Sequence, residues 1–166
     1  MKKYFIPLLL VLFMILNIIC AIIFHHWIFI FVASQLILFH LLPPFAVLLS
    51  MIAYKNKLSF WFKQNSMEKA FYKKIKVKQW KDKFPTYDSK LFTINSESKE
   101  DVIKAMIQSE NVHLLLVFFS FIPLLLSHYF GHFGIMLLLC VIFSAVHIPF
   151  VIIQRYNLPR IIKLPN

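Results

Sequence analysis

Glycine is almost missing from this chain, with two in 166 residues, and cysteine is equally scarce. That scarcity excludes a Gly-rich phosphate loop and a glycine-flanked serine elbow. Cys20 and Cys140 both lie inside apolar runs and read as packed thiols, with no disulfide framework and no Cys-x-x-Cys motif. Charge is missing in a more telling way. No Asp, Glu, Lys or Arg occurs between Lys3 and Lys55, and none between Glu110 and Arg155. A bilayer core takes about 20 apolar residues per helix, so each gap holds two spans. A hydrophobic content of 60% and a mean hydropathy of +0.72 exclude an ordinary soluble domain.

These gaps predict an all-α polytopic membrane protein forming a single membrane domain over residues 1–166. Four transmembrane helices are expected at about 4–24, 28–54, 112–130 and 135–153, as two hairpins. A basic cytoplasmic interfacial segment, 55–110, separates them. Lys2-Lys3 followed by an apolar run resembles a signal peptide, but the run is long and no small-x-small site follows. Cys20 lacks the small preceding residue of a lipoprotein signal, so an uncleaved first helix is expected. Thirteen of the eighteen basic residues fall in 55–110, and the rest near the two termini. The opposite connections carry only histidine. Positive residues mark the cytoplasmic side, which places both termini and the central segment inside.

Within helix 2, Pro43-Pro44 removes two backbone donors, and a kink or partial unwinding is expected there. His40 reads as a packing residue of that kink. In the central segment, Phe60-Trp61-Phe62, Phe71, Trp80 and Phe84 interleave with lysines. Asn65-Ser66-Met67-Glu68 has the pattern of a capped helix start. Aromatics beneath a Lys-rich face suit a membrane interface, at about 1 kcal/mol of anionic-lipid attraction per near-surface Lys. A solvated positive loop is the plainer alternative. Nucleic acid is not an expected partner, because membrane hairpins flank the segment.

Helix 3 is expected to start at a Ser98 cap and run into the membrane, with Glu110 and His113 neighbouring on one face. Pro123 kinks it, and Gly131-His132-Phe133-Gly134 turns the chain into helix 4. That helix leaves the apolar zone at Gln154-Arg155-Tyr156-Asn157-Leu158-Pro159-Arg160. A short turn joins helices 3 and 4, so their far ends are neighbours and Glu110 and His113 approach Gln154, Arg155 and Asn157. A His oriented by a carboxylate can take a proton from a hydroxyl, and Arg or Asn can stabilise an acyl oxyanion. Two other readings use the same residues. In one, Glu110 pairs with Arg155 simply to pin the helices while His113 bonds a carbonyl. In the other, Glu-x-x-His binds metal, but helical carboxylate sites use two such motifs and further Glu, so neither metal nor cofactor is expected.

The chain resembles the glycosyl-diaponeurosporenoate acyltransferases, small bacterial membrane enzymes of the final step in staphyloxanthin biosynthesis. The resemblance rests on Val77-Lys-Gln-Trp80-Lys-Asp-Lys83, on Glu110-Asn-Val-His113 with Pro123, and on Ile148-Pro149 with Gln154 to Arg160. It departs at Leu158, where a basic residue is expected, and at His147, where Asn is expected. It implies esterification of a sugar hydroxyl on a glycosylated carotenoid, or a related glycolipid, by a fatty acyl donor at the cytoplasmic leaflet. On that reading His113 is the general base and Glu110 its orienting partner. Arg155, Asn157 and Arg160 hold the donor or the oxyanion, and Gln154, Tyr156 and Trp80 complete the substrate site. The rival reading is a non-enzymatic membrane protein that binds lipid or a partner protein.

Overall fold

The computed structural model describes residues 2–24, 26–55, 63–84 and 98–164. All regular structure among them is helical: α1 (Lys2–Phe24), α2 (Trp27–Lys55), α3 (Ser66–Lys74), α4 (Val77–Trp80), α5 (Lys99–Phe119), α6 (Ser127–Phe130) and α7 (Phe133–Ile162). Single 3-10 turns occupy Lys81–Lys83 and Ile122–Leu126. Three segments, Trp27–Ile52, Lys99–Phe130 and Phe133–Ile162, are long and apolar enough to cross a membrane, and Val11–Phe24 is a shorter apolar helix. This all-α arrangement is consistent with a polytopic membrane protein. Phe60-Trp61-Phe62 lies outside the described residues.

Local chemistry sets the helix starts. Asn65 Oδ1 accepts the Glu68 N–H (2.7 Å), and the Asn65 N–H donates to Glu68 Oε2 (2.8 Å). This reciprocal capping box satisfies two donors that a helix start otherwise leaves open. Ser98 Oγ accepts the Asp101 N–H (3.2 Å) at the start of α5, and Glu100 and Asp101 sit in its first turn. There the carboxylates face the positive end of the helix dipole. Between α3 and α4, Lys76 takes a left-handed conformation (φ 52°), and the Trp80 indole N–H closes the turn onto the Ile75 carbonyl at 2.9 Å.

Three expected boundaries change. α2 is unbroken from Trp27 to Lys55, so Pro43-Pro44 does not unwind it; His40 Nδ1 bonds the Leu36 carbonyl one turn back (2.7 Å). The third helix starts at the Ser98 cap as expected, but its α-helical part ends at Phe119 rather than near 130. Pro123 cannot donate to Phe119, and the chain tightens into the 3-10 turn with Pro123 near its start. The fourth helix runs past 153 to Ile162, so Gln154–Arg160 is helical. Polar side chains end the apolar run but leave the backbone ladder intact. Pro159 does withhold the N–H due to the Arg155 carbonyl, and the Gln64 side-chain amide supplies it at 2.6 Å.

The chain divides into two compact units. The first comprises Met1–Pro43 and Leu116–Ser144. Its core is Phe31 from α2 with Met136 and Cys140 from α7, flanked by Trp27, Leu124 and Phe130. The Trp27 ring stacks on His132 at 5.1 Å, and Gln35 Nε2 donates to the Ser120 carbonyl (2.8 Å) at the end of α5. On α1, Leu12, Leu16, Ile22 and Ile23 are exposed, the surface expected of a helix surrounded by hydrocarbon.

The second unit comprises Pro44–Leu115 and Ala145–Asn166. Val102, Ile103, Met106 and Ile107 of α5 enclose Leu158 of α7, and Tyr54, Ile161 and Ile162 pack against the cluster. Asn111 Nδ2 donates to Ser50 Oγ (2.9 Å), tying α2 to α5. Leu158 is completely buried. A residue so enclosed by apolar side chains is a core residue, which accounts for the absence of a basic side chain at this position.

Candidate active site

α5 and α7 run antiparallel through the second unit, with Ile107 against Leu158 at one level and His113 beside His147 at another. Glu110 and His113 are three positions apart, nearly one turn, and they meet different parts of α7. The expected Glu110–His113 pair is replaced by two others. His113 Nδ1 lies 3.2 Å from His147 Nδ1, and Glu110 Oε1 lies 3.8 Å from Arg155 Nη1.

The His113 ring lies flat on Phe150, with centroids 4.6 Å apart and planes 13° from parallel. Phe150 in turn meets the edge of Phe84 (5.7 Å), and Phe84 that of Trp80 (5.4 Å). Three aromatic rings, Trp80, Phe84 and Phe150, thus lead from the end of α4 to the imidazole. No hydrogen bond reaches His113 Nε2 among the described residues.

Arg155 occupies the middle of the other cluster. Its Nε donates to Glu68 Oε1 (2.9 Å), its Nη2 to the Lys63 carbonyl (3.3 Å), and its Nη1 faces Glu110. Both Glu110 and Arg155 are buried. Glu110 Oε2 has no hydrogen-bond partner among the described residues. Two buried charges are tolerated only when paired, and this cluster pairs one cation with two carboxylates. Glu68 serves twice, with Oε2 closing the α3 cap and Oε1 receiving Arg155.

Tyr72, one turn beyond Glu68, is a member that reading the sequence missed. It is buried and meets Tyr156 edge-on at 6.0 Å. Burial pushes its phenol up to about 12, helped by the negative charge of Glu68 and Glu110 and opposed by Arg155. It is therefore a neutral phenol at physiological pH. The signal in the sequence was its i+4 spacing from the capping Glu68.

Of the other expected site residues, Arg160 is exposed, with its guanidinium 3.5 Å over the Tyr156 ring and an N–H on the Tyr156 carbonyl. Gln154 and Asn157 are half-buried on α7. Trp80 is half-buried with its N–H committed to Ile75, leaving the ring faces rather than the donor for a ligand. The structure therefore gathers His113, Phe150 and Trp80 along one line and Glu110, Arg155 and Glu68 in one cluster, while Tyr156 meets Tyr72 and Arg160.

A family model for glycosyl-4,4'-diaponeurosporenoate acyltransferases (CrtO) matches residues 58–166, more than half of the chain. The chain belongs to this family. It is an acyltransferase of staphyloxanthin-type carotenoid biosynthesis, which decides against the non-enzymatic alternative. Both clusters lie inside the matched region, and α1 and α2 lie outside it. The family implies two substrates, a glycosyl carotenoid acceptor and an acyl donor. No curated protein and no solved structure matches the chain.

Proposed function

We propose that this acyltransferase is a four-span membrane enzyme with both termini cytoplasmic, which esterifies a sugar hydroxyl of a glycosylated carotenoid at the cytoplasmic leaflet. The observation that carries the reading is the His113 ring, fixed by Phe150 and His147 with one nitrogen left over. The acceptor oxygen attacks the acyl carbonyl carbon and its proton passes to His113 Nε2. A new C–O bond forms, and the bond from the acyl carbon to the donor's leaving atom breaks. The imidazolium then returns the proton to that leaving group. The Trp80–Phe84–Phe150 line offers flat apolar faces on which a sugar ring can lie on its way to the base. Arg160, with Asn157 one turn before it and Gln154 nearly two, supplies donors for an anionic acyl donor. Arg155 is held by Glu68 and Glu110, so its role is to fix α3 and α7 around the site. Basic α3, with exposed Met67 and Phe71 among its lysines, suits the headgroup layer of the same leaflet.

The test is His113→Ala in cells that make the glycosylated carotenoid. The acyl mass on the carotenoid should disappear from lipid extracts, while protein abundance and membrane insertion stay unchanged. Undiminished ester would end the assignment of the base.

A further inference from the structure

We infer that His147 is the positioning residue of this site: it accepts the Nδ1–H of His113 and so presents the lone pair of His113 Nε2 to the acceptor hydroxyl. The inference rests on the reading of His113 as the base and extends it to a residue whose role the family match leaves open.

The geometry restricts the protonation of the pair. Two imidazole nitrogens 3.2 Å apart form a hydrogen bond only when one carries a proton and the other does not. A neutral imidazole has one N–H, so the ring that donates at Nδ1 has its lone pair at Nε2. If His113 is the donor, its Nε2 is basic; if His147 is the donor, His113 Nε2 carries the proton and cannot act as a base. Stacking on Phe150 holds the plane of the His113 ring, and a half-turn of that ring would put Cδ2 rather than a nitrogen against His147. As His113 Nε2 takes up the hydroxyl proton, the imidazolium keeps Nδ1–H on the neutral His147. The developing charge is thereby stabilised without movement of either ring. The carboxylate expected for this role, Glu110, is turned to Arg155. The His147 ring meets His113, with centroids 5.4 Å apart.

The chemical requirement at position 147 is therefore an acceptor directed at His113 Nδ1, not a second titrating group. An asparagine amide oxygen meets that requirement and an aliphatic side chain does not. Purified enzyme in nanodiscs, assayed with glycosyl carotenoid and acyl donor, should show His147→Asn within a few-fold of wild type. His147→Leu should lower kcat by about 10- to 100-fold, as expected for a lost hydrogen bond to a charged group, with KM for both substrates nearly unchanged. In ¹⁵N spectra of selectively labelled protein, His113 should be the Nδ1–H tautomer in wild type and His147→Asn, and should shift to Nε2–H in His147→Leu. Full kcat in His147→Leu, or equal losses in the Leu and Asn variants, would overturn the inference. So would an Nε2–H tautomer of His113 in the wild type. His113→Ala keeps the two readings apart. If it abolishes turnover while His147→Leu does not, only the positioning role fails; if it leaves turnover intact, the base assignment fails with it.

Discussion

Glu68 and Arg155 are joined at 2.9 Å through Nε and Oε1, while the other oxygen of the same carboxylate closes the first turn of α3. Glu68 is only partly shielded, and Arg155 is almost fully buried. The ion pair thus fastens an amphipathic surface helix to a long apolar one, and does so through the residue that also starts the surface helix.

Removing the arginine should be felt first as stability. Arg155→Leu leaves Glu110 buried without its cation and should cost about 3–5 kcal/mol, the usual range for breaking a buried pair. Arg155→Lys keeps the charge but loses the fork and should cost less. Thermal unfolding in detergent or nanodiscs measures both. An unchanged midpoint for Arg155→Leu would show that the cluster is not a structural tie.

The two jobs of Glu68 can be separated. Glu68→Gln preserves the capping box, since Gln serves at that position, but removes the charge facing Arg155. Asn65→Ala does the reverse and should cost about 1 kcal/mol. If the two losses add in the double variant, cap and ion pair act independently; a smaller sum shows that the cap is what aims the carboxylate.

Gln64 and Pro159 make a sharper test. Gln64→Leu removes the side-chain amide that donates to the Arg155 carbonyl and should destabilise by about 1–3 kcal/mol. Pro159→Ala restores the helix's own N–H, so the double variant should recover most of the loss. Absence of rescue would mean that Gln64 acts by some means other than satisfying that carbonyl.

Leu158 should behave as core. Leu158→Ala is expected to cost about 2–5 kcal/mol. Leu158→Lys should lower abundance rather than alter which acceptor is used. A well-folded Lys variant with a changed product profile would refute this.

Tyr72 gives the pH prediction. Its phenol is raised from 10.0 to about 12 in the folded protein, so below the ordinary value it is neutral in both folded and unfolded states and adds no pH dependence. As pH climbs from 10.0 toward about 12 the unfolded chain loses the proton first, and stability falls. Unfolding across that range, compared with Tyr72→Phe, should show a shallower decline in the variant.

The parts of this molecule legible from sequence were those decided within a few residues. Asn65 with Glu68 and Ser98 with Asp101 are capping patterns whose partners lie one turn away, and both form as read. The charge gaps announced the long apolar helices for the same reason. Glu110 approaching Arg155 followed from joining two helices by a short turn. The partner of His113 could not be read that way, because it depends on the rotation of α5 and α7 about their axes, and spacing alone suggested Glu110. Where α7 ends was not legible from the end of its apolar run, because polar side chains leave main-chain hydrogen bonds intact and the helix continues to Ile162. The repair of the Pro159 gap comes from Gln64, a residue remote in the chain. Leu158, where a basic residue was expected, is explained by Ile107 and Met106 around it.

α7 holds the groups of both clusters on one uninterrupted rod: His147 and Phe150 touch His113, and Arg155 takes two carboxylates and, at its carbonyl, Gln64. A helix advances about 100° per residue. One codon inserted between Val151 and Gln154 would leave the imidazoles in place and swing the guanidinium out of its socket. Substitutions along that stretch can drift with the surrounding lipid, but its length is locked.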